Sequence, residues 1–402
     1  MFPAVCVVLL KPKSNTYSRC TIMNNCRRIA RNCRCSSGLN SLMSRFKTRT
    51  NGHSCPGAAP SHNRGQATVT GGKPRLTAAD LAQQVQQEKT KTPATETPMS
   101  KQQKRVMELK KFTLQLQNVH PNVLAKHLFR GVLYQDKHFV VINKPHGVPV
   151  QDASRGTSIS SVLPTLSKMM DGMKTKSDSQ LFPSLGLEKE TTGVLLLARS
   201  DEAVGYILNM HRENNVQRKY WVITVGVPVP SEGVIDIPII EREITGPQPH
   251  YKMGLSPLFR MNDSGDGVTK VRGHRQAHPA VTKYRVLDSS TGCSLVELQP
   301  LTGVKHQMRV HMALALACPI LGDHKYSHWS KLAPQRLPER VLGKLGLEQS
   351  KSRYIPLHLH ARQLTLSRAS KGDIDVSCPL PKYFTQSLKH LHLTLPDKKD
   401  DE

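Results

Sequence analysis

Carboxylates are missing from the start of this chain. The first is Asp80, and thirteen Lys and Arg residues precede it. No run of about 18 apolar residues occurs, so no segment reads as a transmembrane helix. Aromatic residues are scarce at 5%, and apolar residues make up 38% of the 402 positions; such a lean supply leaves room for non-globular segments. Cysteine is present but badly placed for cross-linking. Six of nine (Cys6, Cys20, Cys26, Cys33, Cys35, Cys55) lie in the acid-free segment, and Cys293, Cys318 and Cys378 are far apart. That excludes a disulfide framework or a zinc ribbon. There is no GxxxxGK[ST] loop, no GxGxxG after a strand, and no HExxH pair, since His306 and His311 are five apart.

Positive charge is abundant. Lys and Arg total 57 against 30 Asp and Glu, giving a net charge of +27. That balance predicts a polyanionic partner, most often nucleic acid. Residues 1–79, Arg- and Ser-rich without acids, have the composition of a mitochondrial transit segment. A secretory signal fits poorly, because the basic residues follow the apolar run from Phe2 to Leu10. A disordered RNA-binding arm is the other reading. Residues 80–127 read as a linker, marked by Thr92-Pro93 and Thr97-Pro98. Within it, Val106, Leu109, Phe112 and Leu116 predict one amphipathic helix packing weakly on the main domain.

That main domain is expected over 128–392, with a charged tail at 393–402. Val132-Leu133-Tyr134 and Phe139 to Ile142 predict a hairpin, stopped by the Lys144-Pro145-His146-Gly147 turn. Gly193 to Ala198 is continuously apolar, as in a strand buried on both faces. Ser200 caps a predicted helix with Val204, Ile207, Leu208 and His211 on one face. Further strands are expected at Tyr220–Val225, Val281–Leu287 and Ser294–Leu298, then a helix from His306 to Leu316. Residues 241–279 read as a loop-like insertion. The irregular mixture predicts an α+β domain with a largely antiparallel sheet.

Three clusters carry chemistry. Leu187-Glu188-Lys189-Glu190-Thr191-Thr192-Gly193 is a polar turn feeding the apolar strand. Arg218-Lys219-Tyr220-Trp221 mixes basic and aromatic residues, which suits stacking on a base with phosphate pairing, or simply a half-buried strand. Thr302-Gly303-Val304-Lys305-His306-Gln307-Met308-Arg309-Val310-His311 crowds donors at a helix start, an arrangement that suits an anion. His358 and His360 alternate on a predicted strand and are expected to be structural or RNA-facing rather than metal ligands.

In this order and spacing, the clusters resemble those of the RluA-type pseudouridine synthases. The resemblance covers about 131–390 and includes Lys144 to Gly147, Leu187 to Gly193, Lys219-Tyr220, Thr302 to His311, Cys318 to Asp323 and Leu359-His360-Ala361. It implies an α/β fold around a mixed, mainly antiparallel sheet with an RNA-binding cleft. It implies isomerisation of uridine to pseudouridine in RNA, with no cofactor and no metal. The family's carboxylate falls at Glu188, with Arg309 its partner and Tyr220 stacking on the target base. Lys144, Lys219, Thr302, Lys305, His306 and Gln307 are the expected RNA-binding residues, and mitochondrial rRNA, tRNA or mRNA the expected substrates.

The chain departs from the family at one block. His-Arg-Leu-Asp is here Leu185-Gly186-Leu187-Glu188, and Val304 stands where Arg is common. Glu adds a methylene, and a misplacement of about an ångström can cost roughly a hundredfold in rate. Two readings therefore stand: an enzyme using Glu188, or an RNA-binding or ribosome-assembly factor on a synthase fold.

Overall fold

The computed structural model describes residues 99–396, apart from 118, 152–156, 172–179, 246–248, 257–258, 262–267, 271–273 and 369–371. The expected transit segment, the linker before residue 99 and the end of the C-terminal tail lie outside the described residues. Two helices come first, α1 (Lys101–Leu114) and α2 (Pro121–Arg130), then β1 (Val132–Gln135) and β2 (Phe139–Lys144). Next are α3 (Ile159–Asp171), β3 (Phe182–Pro183), β4 (Thr192–Ala198), α4 (Asp201–Arg212), β5 (Val216–Val225) and β6 (Glu232–Asp236). Then come two hairpins, β7 (Ile239–Ile244) with β8 (His250–Leu255) and β9 (Phe259–Met261) with β10 (Val268–Lys270). The chain closes with β11 (Val281–Ser290), β12 (Cys293–Pro300), α5 (Gln307–Val310), α6 (Glu339–Leu345), β13 (Leu359–Leu366), β14 (Ile374–Ser377) and α7 (Lys382–Leu391).

Ten strands form one sheet, ordered β1-β2-β4-β13-β5-β12-β11-β6, with β3 added to β4 and β14 to β13. Every pairing is antiparallel except β4 with β13. That parallel contact is brief, joining only Thr192 to His360 and Gly193 to Ala361. Beyond it the sheet forks, because β3 takes β4 and β14 takes β13. A Cβ on Gly193 would lie 2.2 Å from the Ala361 carbonyl oxygen, and φ is +107°. Only glycine lets the two strands close at this point. The fork leaves the 187–191 turn at the start of β4.

Both faces of the sheet are covered, which explains the unbroken apolar run of β4. Val194 and Leu196 pack in one cluster with Ile207 and Met210 of α4. Leu195 and Leu197 pack in another with Leu124 and Leu128 of α2 and Ile159 and Leu166 of α3. A third cluster joins Val106 and Leu109 of α1 to α6, α7 and Trp221.

Several expectations change. α1 is an integral part of the core rather than a weakly packed connector: Leu109 is 3% exposed, and Arg105 donates to Gln386 at 2.6 Å. Ser200 caps α4 through the Ala203 amide at 3.1 Å, but the buried stripe is Ala203, Ile207 and Met210, leaving Leu208 exposed. A small Ala hides such a stripe from a hydrophobicity pattern. The expected loop at 241–279 holds paired strands, whose alternation is masked in sequence by the intervening Pro and Gly. The predicted 306–316 helix is one α turn followed by a π turn at His311–Ala315.

Candidate active site

The turn before β4 is held from beneath by a buried ammonium. Lys144 ends β2 with no exposure. Its Nζ donates to the carbonyls of Pro145 (3.1 Å), Lys189 (2.9 Å) and Thr191 (2.8 Å). The Gly147 amide also donates to the Lys189 carbonyl, at 3.0 Å. Burial drives Lys144 down to about 7, opposed by the charges of Glu188 and Glu190. The Lys-Pro-x-Gly turn thus clamps the backbone that presents Glu188.

Arg309 reaches that turn from α5. Its Nη1 donates to Glu188 Oε2 at 2.8 Å, while Nε and Nη2 donate to Asp323 at 2.9 and 2.8 Å. Glu190 stands 3.8 Å from the same Nη1. The Arg309 side chain is 5% exposed and Asp323 is fully buried, but Glu188 retains 25% exposure. Burial opposes the charge on Arg309, yet Asp323, Glu188 and Glu190 outweigh it and raise its pKa well above the ordinary value. Burial likewise opposes ionisation of Asp323; Arg309 and the amides of Tyr326 and Lys325 outweigh it and lower the pKa. The two-point grip of Asp323 fixes the guanidinium plane. Gly322 makes this possible, for a Cβ there would lie 2.1 Å from the Pro356 carbonyl oxygen.

The start of α5 divides its donors between the site and the scaffold. Gln307 is buried, donating from Nε2 to the Val281 carbonyl and the Thr282 hydroxyl, both at 2.9 Å. Its Oε1 accepts from the Thr302 hydroxyl (2.8 Å) and the Val304 amide (3.1 Å). His311 Nε2 donates to the Ile237 carbonyl at 3.0 Å, leaving Nδ1 to accept from Thr282. Burial lowers His311 to about 4, which keeps this neutral arrangement. His306, at φ +57°, turns the other way. Its Nε2 is 3.9 Å from Glu188, and its Nδ1 meets the Tyr326 hydroxyl. Burial, with Arg309, Lys325 and Lys305, pushes His306 down to about 3, so near neutral pH it is uncharged.

Of the residues expected from sequence, Glu188, Arg309 and His306 converge. Tyr220 is buried on β5, in the cluster against which Leu187 packs. Lys219 is partly buried beside it. Lys305 is exposed and pairs with Glu241 of β7 at 3.1 Å. Lys144 and Gln307 are corrected: buried, and with their donors committed to the backbone and Thr282, they brace the site rather than bind RNA. Thr302 is likewise committed, to Gln307 and the Val281 amide. Hence the donors around α5 do not pool at one anion. His358 is buried with Pro356 and Ser387, and His360 with Thr192, as structural histidines. Sequence reasoning missed Asp323 and Tyr326. The only signal was for Asp323, which ends the Cys318 to Asp323 stretch of the family pattern; Tyr326 lies beyond it.

A family model described as RNA pseudouridylate synthase matches residues 138–314. The mitochondrial pseudouridylate synthase RPUSD4 of Danio rerio is 59% identical over 327 residues, covering 80% of this chain and 90% of the relative. Its Homo sapiens counterpart is 47% identical, over 88% of this chain and 94% of the relative. A solved structure, human RNA pseudouridylate synthase domain containing 4, is 51% identical with a TM-score of 0.62, covering 69% of this chain and 98% of that one. The chain belongs to the RNA pseudouridylate synthase family. It has the pseudouridine synthase fold and is an RNA pseudouridine synthase, an isomerase localised to the mitochondrion.

Proposed function

We propose that this synthase converts uridine to pseudouridine in mitochondrial RNA, with Glu188 as the reacting carboxylate. The observation that carries this reading is the 2.8 Å contact between Glu188 and Arg309. Despite its extra methylene, the carboxylate meets a guanidinium held by Asp323, and it remains partly open to solvent. The target uridine leaves its stack to reach it. Glu188 engages the nucleoside as the N1–C1′ bond breaks; the base turns, and C5 bonds to C1′. The C5 proton is lost and N1 gains one, so the product is an isomer. Arg309 holds the carboxylate in a fixed direction; Tyr220, 2% exposed, backs the segment that presents Glu188 rather than offering a face on which the base stacks.

The reading of a binding factor without chemistry draws on the altered 185–188 block. Leu185 is 9% exposed and packs in the core, and a Cβ on Gly186 would meet nothing within 4 Å. The position of Gly186 is therefore open rather than filled by a substitute. Pseudouridine mapping of mitochondrial RNA from cells lacking the protein tests the proposal. Sites restored by wild type and not by Glu188→Ala support it; sites restored equally by both contradict it.

A further inference from the structure

The chain has two tryptophans, and they are used differently. Trp221 is buried against α1, α6 and α7, whereas Trp329 is 57% exposed. Single exposed apolar residues are common and need no explanation; the setting of this one does. Between Asp323 and Glu339 the sequence has no acidic residue and carries Lys325, Lys331 and Arg336. The backbone on both sides of the indole is pinned. The buried Lys252 of β8 donates to the carbonyls of His328 and Lys331, both at 2.9 Å. The Ser330 and Lys331 amides each donate to His328 Nδ1 at 3.2 Å.

The indole is also tied to the candidate active site. Trp329 lines a small cleft with Arg242, Lys252, Met253 and Tyr326. Tyr326 forms the other side of that wall: the Arg309 guanidinium carbon lies 5.2 Å from its ring centre, and its hydroxyl meets His306. One aromatic residue thus separates the Glu188–Arg309 pair from the exposed indole.

We propose that Trp329 is a stacking platform for a base of the substrate RNA that flanks the uridine delivered to Glu188. The inference rests on Glu188 being the reacting carboxylate. Every nucleobase presents a π-face, so an exposed indole on a pinned backbone accepts a neighbour with little regard to sequence, and the surrounding Lys and Arg suit the phosphates. The acid-free segment favours a polyanion over a basic protein.

The test uses the full-length protein and tryptophan fluorescence, with an oligoribonucleotide of mitochondrial sequence and an abasic strand of the same length. The RNA is expected to quench the emission saturably and the abasic strand far less, with the quenching absent in Trp329→Phe. Trp329→Ala should bind RNA roughly tenfold more weakly. Its KM should rise while the single-turnover rate at saturating RNA stays unchanged, and Trp329→Phe should recover most of the affinity. Equal quenching by the abasic strand, or undiminished affinity in Trp329→Ala, would overturn the platform. Binding and quenching are read without turnover. A wild type that forms no pseudouridine while being quenched by RNA would therefore sink the reading of Glu188 and leave the platform standing.

Discussion

Two buried cations flank the same turn and are held in opposite ways. Lys144 lies beneath it, saturated by three backbone carbonyls. Arg309 lies beside it, held by side-chain carboxylates, and one of them, Glu188, keeps 25% exposure. Burial wins at Lys144, whose pKa falls to about 7; paired charge wins at Arg309, whose pKa is raised. The first cation closes on the scaffold. The second extends from a buried anchor to a group that a substrate can reach. Burial and donor count alone do not separate a brace from a working residue. What separates them is whether the partner remains accessible.

The largest effect should come from Arg309→Met. It strands the buried Asp323 carboxylate, which should cost about 3–5 kcal/mol in urea unfolding, and turnover should fall to background. Lys144→Met should cost roughly 2 kcal/mol by leaving buried carbonyls without donors, while RNA affinity and its salt dependence stay as in wild type. Full RNA affinity after that loss would sharpen the comparison; a lowered salt slope would break it.

Asp323→Asn keeps the volume and removes the two-point charged grip. We expect kcat to fall about a hundredfold through misplacement of the guanidinium, with KM little changed. Steady-state kinetics on one RNA checks this. Lys144 also gives a pH signature. Its folded pKa is about 7 against an ordinary 10.5. Between those values the unfolded chain holds a proton that the folded chain has released. Stability contributed by this group therefore rises with pH across that window. Urea midpoints at the two ends should differ less in Lys144→Met than in wild type. Gly186→Arg should have the smallest effect on folding, under about 0.5 kcal/mol, because the space is open. It should tighten RNA binding at low salt, as read in a titration.

Much of the framework was legible from the sequence. The runs in β2, β4 and β5 are apolar and β-branched whichever face they cover, and Ser200 is a cap by local chemistry alone. Glu188 and Arg309 were legible only through the order and spacing of a family pattern. Asp323 was not, because its role depends on a turn at Gly322 that folds it back onto Arg309, fourteen positions earlier. The inward turn of Gln307 was also hidden, since a donor reads the same in sequence whether it faces a carbonyl or a phosphate. The β7–β8 hairpin was obscured by the Pro and Gly residues between its strands.

The most direct test of the central claim is C5 tritium release from uridine-labelled mitochondrial RNA under single turnover, comparing wild type with Glu188→Ala and Glu188→Asp. Release by wild type and Glu188→Asp, with only background from a Glu188→Ala protein that still binds the RNA, is the predicted result. Equal release from wild type and Glu188→Ala would contradict it.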